Sequence, residues 1–156
     1  MTEPFDPKLD LKLERTLDIS PDLVWEAWTT PKHIEQFFTP KPWRTSDCRI
    51  DLRPGGEFFT KMHGPNGEEF GNAGCYLEVV PKRKLVWTDA LQPGYRPAPE
   101  PFMTAALLIE PDGKGTKYTA IAYHNSEAAR EKHEQMGFHE GWGTVATQLV
   151  DYMKTQ

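Results

Sequence analysis

Phe138, Trp142, Val145, Leu149 and Tyr152 recur at spacings of 4, 3, 4 and 3. At ~100° per residue these five side chains fall within about 40° of one line. A C-terminal helix therefore carries a narrow, partly aromatic face that needs an apolar surface to lie on. Most of the chain before it reads as strand, so that surface is a sheet. A helix laid across a curved sheet either meets side chains that fill the gap or borders a pocket. Which of the two holds decides what the protein is able to do.

The strands announce themselves by alternation. Leu9, Leu11 and Leu13 alternate with charged residues, and the run over 9–19 is a first strand. Ser20-Pro21-Asp22 is a helix start, with a capping serine, a proline at the first helical position and an acid in the first turn. Thr30-Pro31 repeats the signal for a second short helix carrying Ile34, Phe37 and Phe38. Strand patterns follow over 43–52, 57–62, 69–80, 85–90, 102–109 and 117–124, with turn sequences such as Gly64-Pro65-Asn66-Gly67 between them. Gly71 and Gly74 suggest a bulge or bend in the third of these. Residues 91–101 hold Pro93, Pro97, Pro99 and Pro101 and are expected not to be strand. Asn125-Ser126 caps the C-terminal helix, which is interrupted at Gly137. The class is α+β with an antiparallel sheet, in one domain over 9–156 preceded by a loose arm, residues 1–8.

The 156 residues carry a formal net charge of −5, which argues against a nucleic-acid partner. Mean hydropathy is −0.64, and no apolar run approaches the ~18 residues of a membrane span, so membrane insertion is not expected. Cys48 and Cys75 are expected on strands with one strand between them, beyond disulfide reach at ~9.5 Å or more. Two unpaired thiols fit a reducing cytoplasm.

Four segments carry a resemblance to a known family: Ile19-Ser20-Pro21-Asp22-Leu23-Val24-Trp25-Glu26-Ala27-Trp28-Thr29-Thr30-Pro31, Ile50-Asp51-Leu52-Arg53-Pro54-Gly55-Gly56-Glu57-Phe58, Gly74-Cys75-Tyr76-Leu77-Glu78-Val79-Val80-Pro81 leading to Leu85-Val86-Trp87-Thr88, and Gly137-Phe138-His139-Glu140-Gly141-Trp142. With these motifs the chain resembles the helix-grip superfamily of START domains, Bet v 1-like proteins and polyketide cyclases. Within it, the chain is similar to the branch named after the C-terminal domain of the Hsp90 ATPase activator. The resemblance implies a seven-stranded antiparallel sheet gripping the C-terminal helix, with two short helices after the first strand. It also implies a cavity for a small hydrophobic molecule, and some members catalyse cyclisation or dehydration. The eukaryotic co-chaperone carries a separate N-terminal domain outside the region of resemblance, so the family name by itself does not imply chaperone activation.

Phe37, Phe38, Trp43, Phe59, Trp87, Phe102, Phe138 and Trp142 lie on elements expected to face the gap, as core or as pocket lining. Trp142, whose indole N–H needs a partner when buried, is expected at the boundary between core and pocket. The polar candidates are Asp89, Tyr123 and His124, with His133 in the helix; Asp89 beside His124 is the one acid–base pairing to propose. No cofactor or metal is expected. His133-Glu134 begins an H-E-x-x-H pattern, but Gly137 stands where the second histidine belongs. The long proline-rich segment would be either a stiff exposed loop or a lid placing Tyr95 or Arg96 on a ligand.

The expected activity is binding of a small hydrophobic or aromatic molecule. The alternatives are a cofactor-independent cyclase or dehydratase and a protein-interaction module related to co-chaperones. An open cavity of several hundred Å3 would support the first two, and a gap filled by aromatics would sink both and favour the third. A homodimer through an edge strand or a helix face is left open.

Overall fold

The structure is a computed structural model, and it describes residues 3–156. The chain runs β1 (Asp10–Leu17), α1 (Pro21–Thr29), α2 (Pro31–Phe37), β2 (Arg44–Ile50), β3 (Glu57–His63), β4 (Glu69–Val80), β5 (Lys84–Thr88), β6 (Leu91–Gln92), β7 (Arg96–Pro97), β8 (Thr104–Asp112), β9 (Gly115–Tyr123), α3 (Glu127–Gln135) and α4 (Phe138–Met153). Seven strands form one sheet in the order β1-β9-β8-β5-β4-β3-β2, each antiparallel to its neighbours. This is the helix-grip arrangement. β1 and β2 are its two edges.

Local chemistry accounts for most boundaries. The Ser20 hydroxyl accepts from the Leu23 N–H at 3.3 Å, and Pro21 opens α1. Thr30 precedes Pro31 at the start of α2 but makes no side-chain cap. The β8–β9 hairpin is tighter than its sequence suggests. Pro111 and Asp112 stay in the ladder, and the turn is left to Gly113 and Lys114.

Two expectations about strands are corrected. The ladder from Glu57↔Cys75 to His63↔Glu69 runs unbroken past Gly71 and Gly74, and the register of β4 shifts instead between Tyr76 and Glu78. The proline-rich segment does contain strand: β6 and β7 pair as a two-stranded ribbon, Leu91 with Pro97 and Gln92 with Arg96. Gly94 and Tyr95, both at positive φ, make its turn. A ribbon this short tolerates Pro97 because few ladder bonds are required of it. Its tip is pinned to the β2–β3 turn by the Gly94 N–H donating to the Gly55 carbonyl at 2.8 Å.

The C-terminal helix is two helices. Gly137, at φ 94°, breaks it into α3 and α4, a conformation that favours glycine. α4 buries Phe138, Val145, Ala146, Leu149 and Met153, so the buried stripe is rotated slightly from the expected one, leaving Trp142 and Tyr152 half-buried on its flanks. Each fully buried leucine, such as Leu149, contributes ~1.5–3 kcal/mol. Gln148 fastens α4 to the end of α2: its amide nitrogen donates to the Phe37 and Thr39 carbonyls at 3.0 and 2.9 Å, and its oxygen accepts from the Lys41 N–H at 3.1 Å. Tyr152 does the same for the middle of α2, through a 2.8 Å contact of its hydroxyl with His33 Nδ1.

The described part of the N-terminal arm lies against the sheet. Glu3 pairs with Lys84 at 2.7 Å, Phe5 sits under the Lys12 ammonium at 4.4 Å, and the Asp6 N–H donates to the Asp10 carboxylate at 2.8 Å.

Candidate functional site

The gap between sheet and helices is mostly filled. Trp28 of α1 meets Phe37 and Phe38 edge-on, with ring centroids 5.3 and 5.9 Å apart, and tilts against Trp87 at 5.4 Å. Phe58 stacks on Tyr76 at 5.4 Å and turns its edge to Trp87 at 5.5 Å. What remains is an inner cavity of about 50 Å3. Small-ligand pockets usually hold roughly 300–1,000 Å3, so this space as it stands suits a water or two.

The cavity has an aromatic wall, a strand floor and a loop door. Phe38, Phe58 and Trp87 form the wall, and Thr60, Asn72 and Gly74 of the β3–β4 ladder form the floor. Gly74 keeps the floor low, because a Cβ there would sit 3.3 Å from the carbonyl oxygens of Phe58 and Thr88. Asp89, Phe102 and Met103 close the remaining side.

Phe102 and Met103 also line a second space. This outer groove, of about 260 Å3, includes Thr104, Tyr123, His124 and Asn125. A third and shallower cleft along α4, of about 340 Å3, is lined by residues such as Arg15, Glu140 and Thr147 and holds none of the candidate residues.

The candidate acid–base pair does not form. Asp89 Oδ1 accepts from the backbone N–H groups of Phe102 and Met103 at 2.8 and 3.0 Å. Its neighbour Thr88 contacts the Thr104 hydroxyl at 2.8 Å. Together they hold the entry to β8, and thereby place Phe102 and Met103. His124 is engaged elsewhere: Nδ1 lies 2.7 Å from the Leu9 carbonyl, and Nε2 lies 2.9 Å from Nδ1 of His133. A carbonyl only accepts, so His124 carries its proton on Nδ1, and His133 donates to His124 Nε2. The rings of Phe102 and Phe138 box in His133 at 4.7 and 5.2 Å. Burial, then the neighbouring His124, pushes the His133 pKa down to about 4. Burial, with Glu3 and Asp10 beyond it, raises the Tyr123 hydroxyl, against the pull of Lys84.

Of the sequence candidates, Phe38, Trp87, Asp89 and Phe102 meet at the inner cavity, and Phe102, Tyr123 and His124 at the groove. The others lie elsewhere. Phe37 is core against Trp28. Trp43 stacks on Phe70 at 6.0 Å. Phe138 and Trp142 pack on each other at 5.2 Å and line neither space, so Trp142 does not mark the boundary of the cavity. Phe59 is on the opposite face of the sheet, under the Arg49 guanidinium at 4.1 Å. Successive strand residues face opposite ways, so Phe58 takes the inward position and Phe59 the outward one. Tyr95 and Arg96 do not reach the cavity either; a Cβ on Gly55 would run into the Tyr95 ring, which rests over that turn.

The two thiols are buried and free. Burial, and secondarily Glu35, pushes the Cys48 pKa up to about 12, against a smaller effect of Arg49, so this thiol is no nucleophile near neutrality.

The family model described as "Activator of Hsp90 ATPase homolog 1-like protein" matches residues 18–154. The chain belongs to this family. Among solved structures, it is similar to a protein from Nitrosomonas europaea, with 51% identity over 97% of both chains and a TM-score of 0.95. A protein from Mycobacterium smegmatis shares 22% identity over 93% of this chain and 90% of that one, with a TM-score of 0.78. An AHSA1-like protein from Aeromonas hydrophila shares 18% identity over 94% and 93%, with a TM-score of 0.72. The last two likenesses concern the fold alone. Among curated proteins, none matches. No helix among the described residues is long and apolar enough to cross a membrane.

Within the family fold, sequence reasoning missed Phe58, Thr60, Asn72, Gly74 and Met103 at the cavity. Alternation along β3 was a usable signal for Phe58 and Thr60 together, since they are two apart. Nothing in the sequence paired Asn72 with Thr60; that follows from the β3–β4 register.

Proposed function

We propose that this protein binds a small apolar or aromatic molecule at the mouth of the grip, with Phe102 and Met103 as a movable partition. One observation carries the reading: the same two half-buried side chains line both the inner cavity and the outer groove. They lie between β7 and β8, outside any strand. When they swing aside, the two spaces join and reach the size range of small-ligand sites. Phe70 supports the reading, being 56% exposed and two residues from Asn72 on the same face of β4, where with Trp43 it makes an aromatic lip.

The filled gap, with about 50 Å3 left, speaks by itself for the protein-interaction reading, and only the adjoining groove of about 260 Å3 sets binding ahead of it. The cyclase or dehydratase reading is weaker because Asp89, Tyr123 and His124 do not converge: Asp89 faces the cavity, while the other two line the groove. Action in a reducing cytoplasm is supported by the two free, buried cysteines.

Phe102→Ala tests the gate. Opening a closed partition reduces apparent affinity by the fraction of molecules already open, so removing it should tighten binding of indole about tenfold. Indole titrations followed by amide NMR shifts of Thr60, Asn72 and Trp87 measure this. Absence of any shift at those residues, in both wild type and variant, sinks the reading.

A further inference from the structure

Three polar side chains face the inner cavity with hydrogen-bonding capacity left over. Thr60 is only 2% exposed and lines the floor; among the described residues its hydroxyl has no hydrogen-bond partner. Asn72, opposite it in the ladder, commits none of its side-chain amide among those residues. Asp89 spends Oδ1 on two backbone N–H groups, which leaves Oδ2 free. The lining contains no lysine, arginine or histidine.

An ionised carboxylate accepts and does not donate. Hydrogen bonds to a charged group are stronger than neutral ones, by enough to separate ligands about tenfold or more. The faces of Phe38, Phe58 and Trp87 add a preference for positive over negative charge. An anionic head would be desolvated beside Asp89 with no cation to meet it. Resting on the binding reading above, we infer that the inner cavity selects ligands whose apolar body ends in a hydrogen-bond donor, an amine or a hydroxyl, and rejects carboxylate and phosphate heads. Asp89 would receive the donor through Oδ2, with Thr60 and Asn72 completing the polar end.

A single-scaffold series tests this on the full chain. Benzylamine, benzyl alcohol, toluene and benzoate are titrated, and the amide shifts of Thr60, Asn72 and Phe102 are followed by NMR. The expected result is that benzylamine and benzyl alcohol bind at least about tenfold tighter than toluene, with benzoate weakest. The two donor compounds separate a charged head from a neutral one. In Asp89→Asn one oxygen remains for the two backbone N–H groups while the free position becomes a donor, so the preference for donors should disappear and benzoate should gain. Thr60→Val, nearly isosteric, is the second variant and should reduce the preference without loss of amide dispersion. Toluene binding as tightly as benzyl alcohol overturns the inference and leaves the binding site standing. Silence from all four compounds overturns the binding reading itself. An undiminished donor preference in both variants overturns the assignment to Asp89 and Thr60.

Discussion

Acidification from about pH 8 to about pH 5 tests the buried histidine pair. His133 is 6% exposed, wedged between Phe102 and Phe138, and its pKa falls from 6.5 to about 4 in the folded chain. The unfolded chain therefore binds the proton more readily across that window. The stability due to neutral His133 is fully present above about pH 6.5 and is lost as the pH falls towards about 4. At ~1.4 kcal/mol per pKa unit, the loss is about 2 kcal/mol by pH 5 and about 3 kcal/mol in full. Urea unfolding followed by tryptophan fluorescence at a series of pH values measures it. The control is His133→Phe, which keeps a ring against Phe102 and Phe138 but cannot titrate. It should be less stable than wild type at pH 8 by ~1 kcal/mol, because Nε2 of His124 loses its donor. It should also lack about 2 kcal/mol of the acid-dependent loss. If wild type and variant lose stability in parallel between pH 8 and pH 5, the account of this pair is refuted.

Gly137→Ala places a Cβ at φ 94° in open space, so its cost is backbone strain alone, ~1 kcal/mol. A melting temperature a few degrees lower is expected, and an unchanged or higher value would mean that the break between α3 and α4 does not need glycine. Cys48, with its pKa near 12 and 9% exposure, should react with an aromatic disulfide reagent at about pH 8 at least ~100-fold more slowly in the folded protein than in urea. Equal rates would place that thiol outside the core.

Much of the fold was legible in the sequence because the signals are local. The leucine alternation in β1, the Ser20-Pro21-Asp22 start, the Gly64–Gly67 turn and the apolar stripe of α4 each depend on residues a few positions apart. Caps, turns and periodicities therefore predicted the strand segments, the two short helices and the interruption at Gly137, while their union in one seven-stranded sheet was what the family resemblance implied. The ribbon of β6 and β7 was missed because prolines forbid long strands, not pairs of two residues.

The candidate site was legible only in part. Aromatic content marked Phe38, Trp87 and Phe102, but could not choose between Phe58 and Phe59, since that choice is a matter of register. Asp89 and His124 were singled out as polar groups near the gap; Asp89 lines the inner cavity and His124 the outer groove, and the two do not pair. Asp89 serves the Phe102 and Met103 backbone, and His124 serves His133 and Leu9. By itself, then, the sequence determined the strand segments and a C-terminal helical region with one apolar face in need of a partner, because those signals lie within each element. Only the tertiary structure decided that six aromatic rings close the gap to about 50 Å3 and that Phe102 and Met103 stand between two spaces. The physical reason is that packing and hydrogen-bond partnership are settled between segments far apart in the chain, where register and side-chain volume, not local pattern, make the choice.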